Sequence, residues 1–130
     1  MHEDLREAIL ALGTHIRYVA VGEGQRIVAS QREGLTGASA ESSDFYEELI
    51  VNPTLLTLTR QPGELDCGGL RHVIVGYGNF NQVVMPLLGV SGHVSVCVEL
   101  NMDANEVAAK VAELVALELD ESHDGGAIQR

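Results

Sequence analysis

Residues 70–99 read LRHVIVGYGNFNQVVMPLLGVSGHVSVCVE. Three Val/Ile-rich runs, about Leu70 to Tyr77, Gln82 to Leu88 and His93 to Glu99, are separated by Gly78-Asn79 and by Gly89-Val90-Ser91-Gly92. Glycine-bearing connections this short force neighbouring strands to run antiparallel, because a parallel crossover needs about a dozen residues or more. Pro86 cannot donate a ladder hydrogen bond. It therefore belongs at an edge, at a bulge, or where its missing donor faces away.

Upstream of this meander, Ile16, Tyr18 and Ala20 alternate with Arg17, Val19 and Val21, and Gly22-Glu23-Gly24 leads into Arg26-Ile27-Val28-Ala29-Ser30. Two β-prone runs around a glycine turn predict a hairpin, with Ile16, Tyr18 and Ala20 on one face. Gln31 to Ser42, rich in Gly, Ser and Thr, reads as a polar loop.

Three helices frame the strands. Leu5, Ala8, Ile9 and Leu12 recur at helical spacing and predict a helix over 3–12, closed by Gly13. Asp44 with Glu47 resembles a capping box, and Phe45, Leu49, Ile50 and Leu56 outline the stripe of a second helix. Pro53 interrupts it. Asn52 as a cap with proline at the first helical position predicts a bend and restart there, and Gln61-Pro62-Gly63 predicts the end. Asp103 with Glu106 repeats the capping pattern before Val107, Val111, Leu114 and Val115, a last helix to about Leu119. The elements predict an α+β (α/β-layered) domain in the order α-β-β-α-β-β-β-α, one five-stranded antiparallel sheet with helices on both faces. Residues 1–120 form a single domain in this reading, and 121–130 a flexible C-terminal tail.

Composition narrows the function classes. With 19 acidic residues against 8 Lys and Arg, the net charge of −11 opposes phosphate backbones and anionic lipid, so no nucleic acid and no membrane insertion are expected. No run of about 18 apolar residues occurs, and the acidic start lacks a secretory pattern, which points to a cytoplasmic protein. Cys67 and Cys97 have no zinc-type spacing; isolated thiols are the simple account, a bridge between them the alternative.

Chemistry-bearing motifs are absent from the sequence. Gly22-Glu23-Gly24 and Gly76-Tyr77-Gly78 begin like phosphate loops, but Ile27 and Asn81 stand where a third glycine would be, and neither fragment opens a helix. His2, His15, His72, His93 and His123 show no metal-ligand spacing. His72 and His93 stand on strands that can approach one another, the one pair that could share a metal. Ser91, Ser95, Cys67 and Cys97 have no base that sequence can identify. Neither an enzyme nor a cofactor is expected. Tyr46, Leu49, Ile50, Leu55, Leu56 and Leu58 make the second helix apolar on more than one face, and the surplus points to a partner surface.

In its element order, and in Ile16–Val21, Ile27–Gly34, Phe45–Arg60 and Gly92–Glu99, the chain resembles the roadblock / dynein light chain superfamily, a profilin-like fold, and in particular its small prokaryotic and archaeal members. The resemblance implies a homodimer in which the second helices and the following strands meet across a two-fold axis. It implicates Phe45, Tyr46, Leu49, Ile50 and Leu56 on the helix and His72 and Ile74 on the strand. It further implies a scaffold without a nucleotide site of its own that regulates a small Ras-like GTPase. Pro53 and the Gly68-Gly69 approach to the third strand depart from the family pattern. The competing class is a PAS- or GAF-like small-molecule sensor, disfavoured by a chain with no Trp, two Phe and three Tyr.

Overall fold

The computed structural model describes residues 2–32, 41–87 and 91–128, with the side chains of 41–43, 61–66 and 119–128 outside the description. Five strands, β1 (Ile16–Glu23), β2 (Arg26–Gln31), β3 (Val73–Gly76), β4 (Asn81–Leu87) and β5 (Gly92–Val98), form one antiparallel sheet in the order β2-β1-β5-β4-β3. The hairpin and the meander are thus joined through β1 and β5, the first and last strands. Helices α1 (His2–Leu10) and α4 (Ala104–Ile128) cover one face. On the other lies a continuous helical segment, α2 (Glu41–Tyr46), a π-turn (Glu47–Val51) and α3 (Asn52–Asp66).

The strands show two unlike faces. Toward α1 and α4 they present Val19, Val21, Val83, Met85, Leu87, Val94, Val96 and Val98, which join Leu5, Ile9, Val107, Val111 and Val115 in the principal core. Branched aliphatics suit a pleated, fully covered surface, and their burial is the main stabilising term here. Beneath α3 the same strands present Tyr18, Ala20, Gln82, His93, Ser95 and Cys97. Gln82 Nε2 donates to Ser95 Oγ at 2.8 Å on that face. One side of the sheet is oil; the other is a polar floor.

Alternation along β1 is broken where sequence reading kept it intact. Opposite Val98 and Cys97, β1 places Ile16 and Tyr18, so Arg17 is the extra residue of a β-bulge. Ile16 consequently joins Val19 and Val21 in the principal core and does not share the face of Tyr18 and Ala20. The buried Arg17 guanidinium is held by Glu99 Oε1 at 2.6 Å and lies 5.6 Å from the centre of the Phe80 ring. Arg32 donates to the carbonyls of Ile16, Gly13 and Leu10, tying β2 to the α1–β1 connection.

Turn chemistry follows the local residues. Gly24 has φ +63° and Gln25 is not among the positive-φ residues, the type II′ pattern with glycine first. β3 begins only at Val73, opposite Val84, so β4 has no β3 partner at Pro86, and the proline removes no bond on that side. Asp103 Oδ1 accepts the Asn105 N–H at 2.9 Å, which makes it the N-cap of α4.

Several boundaries move. α2 begins at Glu41, so Asp44 lies inside the helix and not at its N-cap; α3 continues through Pro62 and Gly63 to Asp66; α1 ends at Leu10. β3 is shorter than expected, and His72 precedes it. α4 runs past Leu119 to Ile128. Most of the expected polar loop (33–40), the Leu88-Gly89-Val90 connection, Glu33-Gly34 of the family resemblance and residues 129–130 of the expected tail lie outside the described residues. Among the described residues no helix is long and apolar enough to cross a membrane.

Candidate functional site

Pro53 determines the local geometry of the helix over the polar floor. In an α-helical register its ring would collide with the carbonyl of Leu49 and could not donate to it. The chain answers with a wider turn: Asn52 N–H bonds Glu47 O, five residues back, and Asn52 keeps helical angles of φ −66° and ψ −45°. The helix therefore does not stop and restart at Asn52. That residue is not an N-cap, and its side chain is free of capping duty.

Inserting a π-turn re-phases the side chains, and such turns concentrate at functional sites. Glu48, Asn52 and Leu56, four residues apart, form the inward row, and all are buried. Two of the three are polar. Phe45, Tyr46, Ile50, Val51 and Leu58 face outward, with Phe45 at 56%, Ile50 at 51% and Leu58 at 67% exposure. The segment is inverted relative to an ordinary surface helix, whose apolar stripe faces its own core.

Glu48, 1% exposed, is the centre of the inward row. Its carboxylate accepts from Asn52 Nδ2 at 2.8 Å and from Tyr18 Oη at 2.8 Å, and His93 Nε2 stands 2.7 Å from Oε1. Three elements, β1, β5 and the helix, meet on this one side chain. A buried carboxylate without partners costs several kcal/mol in desolvation, and multiple donors are what make it tolerable. The network is complete: among the described residues the only buried side-chain polar atom lacking a partner is Arg6 Nε, elsewhere.

The carboxylate imposes itself on its neighbours. Burial, then the charge of Glu48 and its hydrogen bond, push the Tyr18 hydroxyl far above the ordinary tyrosine value. Burial, then the charges of Glu48 and Glu47, likewise push the Cys97 thiol far up. Both groups stay protonated, so Cys97 is an inert apolar filler. Glu47 is itself held above the usual carboxylate range, by partial burial first and then by Glu48 and Asp44.

Of the residues expected at a partner surface, Phe45, Tyr46 and Ile50 are exposed together on the outer row. Leu49 is half-buried beside them. Leu56 is 3% exposed and belongs to the interior. Ile74 packs on the principal core, and half-buried His72 lines a groove against α4 with Met85 and Ala108, on the far side of the sheet from the helix. His72 and His93 are therefore not brought together, and no group of three metal-ligating side chains occurs among the described residues. Cys67 is exposed and Cys97 buried, both free.

Sequence reading missed Glu48, and considered His93 only as a metal partner of His72, not as a neighbour of a buried carboxylate. The available signal was the row Glu48, Asn52, Leu56, polar on the side opposite the helix's greasiest positions.

No family model matches the sequence, and no curated protein resembles it by sequence. Solved structures share its architecture. The roadblock/LC7 domain from Streptomyces avermitilis aligns with a TM-score of 0.64 at 17% identity, covering 92% of this chain and 95% of that one. The gliding protein MglB from Thermus thermophilus aligns with a TM-score of 0.63 at 9% identity, covering 92% and 89%. An MglB with tetrameric arrangement aligns with a TM-score of 0.59 at 9% identity, covering 88% of each chain. The likeness is one of fold.

Proposed function

We propose that this roadblock-like fold serves as a non-enzymatic interaction module that pairs with a second copy of itself through the outer row of α2 and α3 and the edge strand β3. One observation carries the reading: a helix whose buried row is Glu48, Asn52 and Leu56 and whose open row is Phe45, Tyr46, Ile50, Val51 and Leu58. Contiguous exposed apolar surface of this kind marks a contact site, and its removal from water yields about 25 cal/mol per Å² before association costs. β3 ends the sheet, so its outer edge offers ladder hydrogen bonds to a neighbouring strand.

The tetrameric arrangement of an MglB with this fold supports self-assembly as a use of it. Regulation of a small Ras-like GTPase, the role the sequence resemblance implies, is the proposed use of the assembled pair. Ile74 enters this interface through the backbone of the β3 edge and His72 through the backbone just before it, not through their side chains.

Sedimentation velocity on the full chain at micromolar concentration tests the reading. The expected result is a dimer that Ile50→Asp converts to monomer without loss of fold. A strict monomer in the unmodified chain overturns it. Co-sedimentation with purified Ras-like GTPases in both nucleotide states tests the partner class.

A further inference from the structure

Both margins of the sheet are open, β3 at one end and β2 at the other. Self-association as proposed above occupies β3, which leaves β2 without a role. Open margins invite unwanted pairing, and proteins blunt them with proline, bulges or very short strands. The stretch of β4 that runs past β3 carries Pro86. β2 has none of these devices. It pairs with β1 from the Tyr18 and Gln31 pair to the Glu23 and Arg26 pair without a shift of register, and it holds neither proline nor glycine.

The direction of its backbone groups follows from one bond. Arg32 N–H donates to Arg17 O at 2.8 Å. Ladder bonding alternates along an antiparallel strand, so Ser30, Val28 and Arg26 turn their backbone groups to β1, and Ile27, Ala29 and Gln31 turn theirs outward. The same three residues direct their side chains toward α2, since Ile27 packs beside Tyr18 and Ala20 while Val28 packs on the principal core. There a groove of about 430 Å³ has Ile27, Ala29 and Gln31 on its sheet side and Asp44, Phe45 and Glu48 on its helix side. Ala29, at the centre of the edge, is small and exposed.

The groove is acidic. Burial first, and then the charges of Glu48 and Asp44 among others, raise the Tyr18 hydroxyl and the Cys97 thiol, so the field of the two carboxylates reaches the groups around them. The single cation of β2, Arg26, belongs to the opposite face with Val28.

We propose that the β2 edge and this groove dock an extended segment of a partner protein, which adds a further antiparallel strand and places a lysine or arginine opposite Ala29. Alternate residues of such a segment exchange backbone bonds with Ile27, Ala29 and Gln31, and their side chains lie on the groove side of the sheet. A cation there is held by the field, and neither carboxylate gives up the bonds it already makes. At this acidic margin a second copy of a chain of net charge −11 is the disfavoured occupant. The inference goes beyond self-association and is read separately from it.

The test is a titration of the full chain, labelled with nitrogen-15, with blocked peptides. The probes are Thr-Val-Thr-Lys-Thr-Val-Thr, its variant with glutamate for lysine, and the lysine peptide N-methylated at its lysine and both valines. The lysine peptide is expected to give saturable shifts at the amides of Ile27, Ala29, Gln31 and Phe45, and to slow hydrogen exchange of the first three. The glutamate peptide should bind at least about tenfold more weakly, and the N-methylated peptide not at all, since its pairing donors are gone. Ala29→Pro removes an outward N–H and none that faces β1. It is expected to keep the dispersed spectrum and the sedimentation of the unmodified chain while losing the peptide. Ala29→Arg, at an exposed position, should reverse the preference toward the glutamate peptide. Ile50→Asp should bind the lysine peptide as the unmodified chain does, which separates the edge from self-association.

The proposal is overturned by an absence of saturable shifts, by equal affinity for the lysine and glutamate peptides, or by binding of the N-methylated peptide. Undiminished affinity in both Ala29 variants, or loss of the response in Ile50→Asp, overturns it too. Concentration-dependent shifts of the same amides without peptide would put a second copy on the edge and overturn it as well.

Discussion

The imidazole of His93 lies against the backbone of its cross-strand neighbour Gly22, so closely that a Cβ there would stand 2.7 Å from His93 Cε1. Gly22 is required by this close approach, not by its own backbone angles. Because Glu48 holds the adjoining Nε2 at 2.7 Å, the ring cannot step back without disturbing the buried carboxylate.

Gly22→Ala should therefore destabilise the chain by about 1–3 kcal/mol, the usual cost of forcing atoms into a filled interior. Urea unfolding measures the loss. If His93→Ala is introduced first, the added penalty of Gly22→Ala should largely vanish, since the colliding ring is gone.

Removing one partner from the Glu48 network leaves the other polar groups buried and unpaired. Glu48→Ala is expected to cost about 3–5 kcal/mol, and a double-mutant cycle between Glu48→Ala and His93→Ala should show coupling of about 1–3 kcal/mol. Additive losses would mean that the 2.7 Å contact contributes no energy of its own.

The outer and inner rows of the helix should respond to different assays. Leu56→Ala, in the interior, is predicted to lower stability by about 2–5 kcal/mol with self-association retained at temperatures where the chain is folded. Ile50→Asp, half exposed, should change monomer stability by less than about 1 kcal/mol while abolishing self-association. Unfolding curves and sedimentation on the same samples separate the two.

Alkaline pH should unfold the protein through Tyr18 and Cys97. The folded chain holds both protons more tightly than the unfolded chain, whose ordinary values are 10.0 and 9.0. Stability is thus fully present below about pH 9 and is lost as pH rises through and above those ordinary values. Urea midpoints measured from about pH 8 to about pH 11 should fall, and fall less steeply in Cys97→Ala. A thiol reagent near neutral pH should modify Cys67 at once and Cys97 only on unfolding.

The strands were readable because each carries its signal locally: β-branched runs in β1, β4 and β5, and glycine turns between them. Asp103 was readable for the same reason, since a cap and its helix are adjacent. The bulge at Arg17 was not, because alternation through Ile16-Arg17-Tyr18 is locally faultless and only the partner strand reveals the extra residue. Pro53 was correctly seen as a disturbance, but a restart and a π-turn cost similar local sequence, and the choice is made by what Glu48 and Asn52 find beneath them. Glu48 itself reads as one more solvated charge on a helix. Its partners Tyr18 and His93 lie 30 and 45 residues away, beyond any periodicity. The outer apolar row was legible as a surplus of Leu, Ile and aromatics, though not which members would be spent inside.

A π-turn is an α-helix with one residue too many, and here the surplus falls between Glu47 and Val51. Deleting a residue from that span would swing the preceding half of the segment by about 100° relative to the following half. Phe45 and Tyr46 would leave the side of Leu58, and the carboxylate would lose its place. Length in this stretch is thus under tighter constraint than composition, and shortening it by one position would do more harm than most substitutions within it.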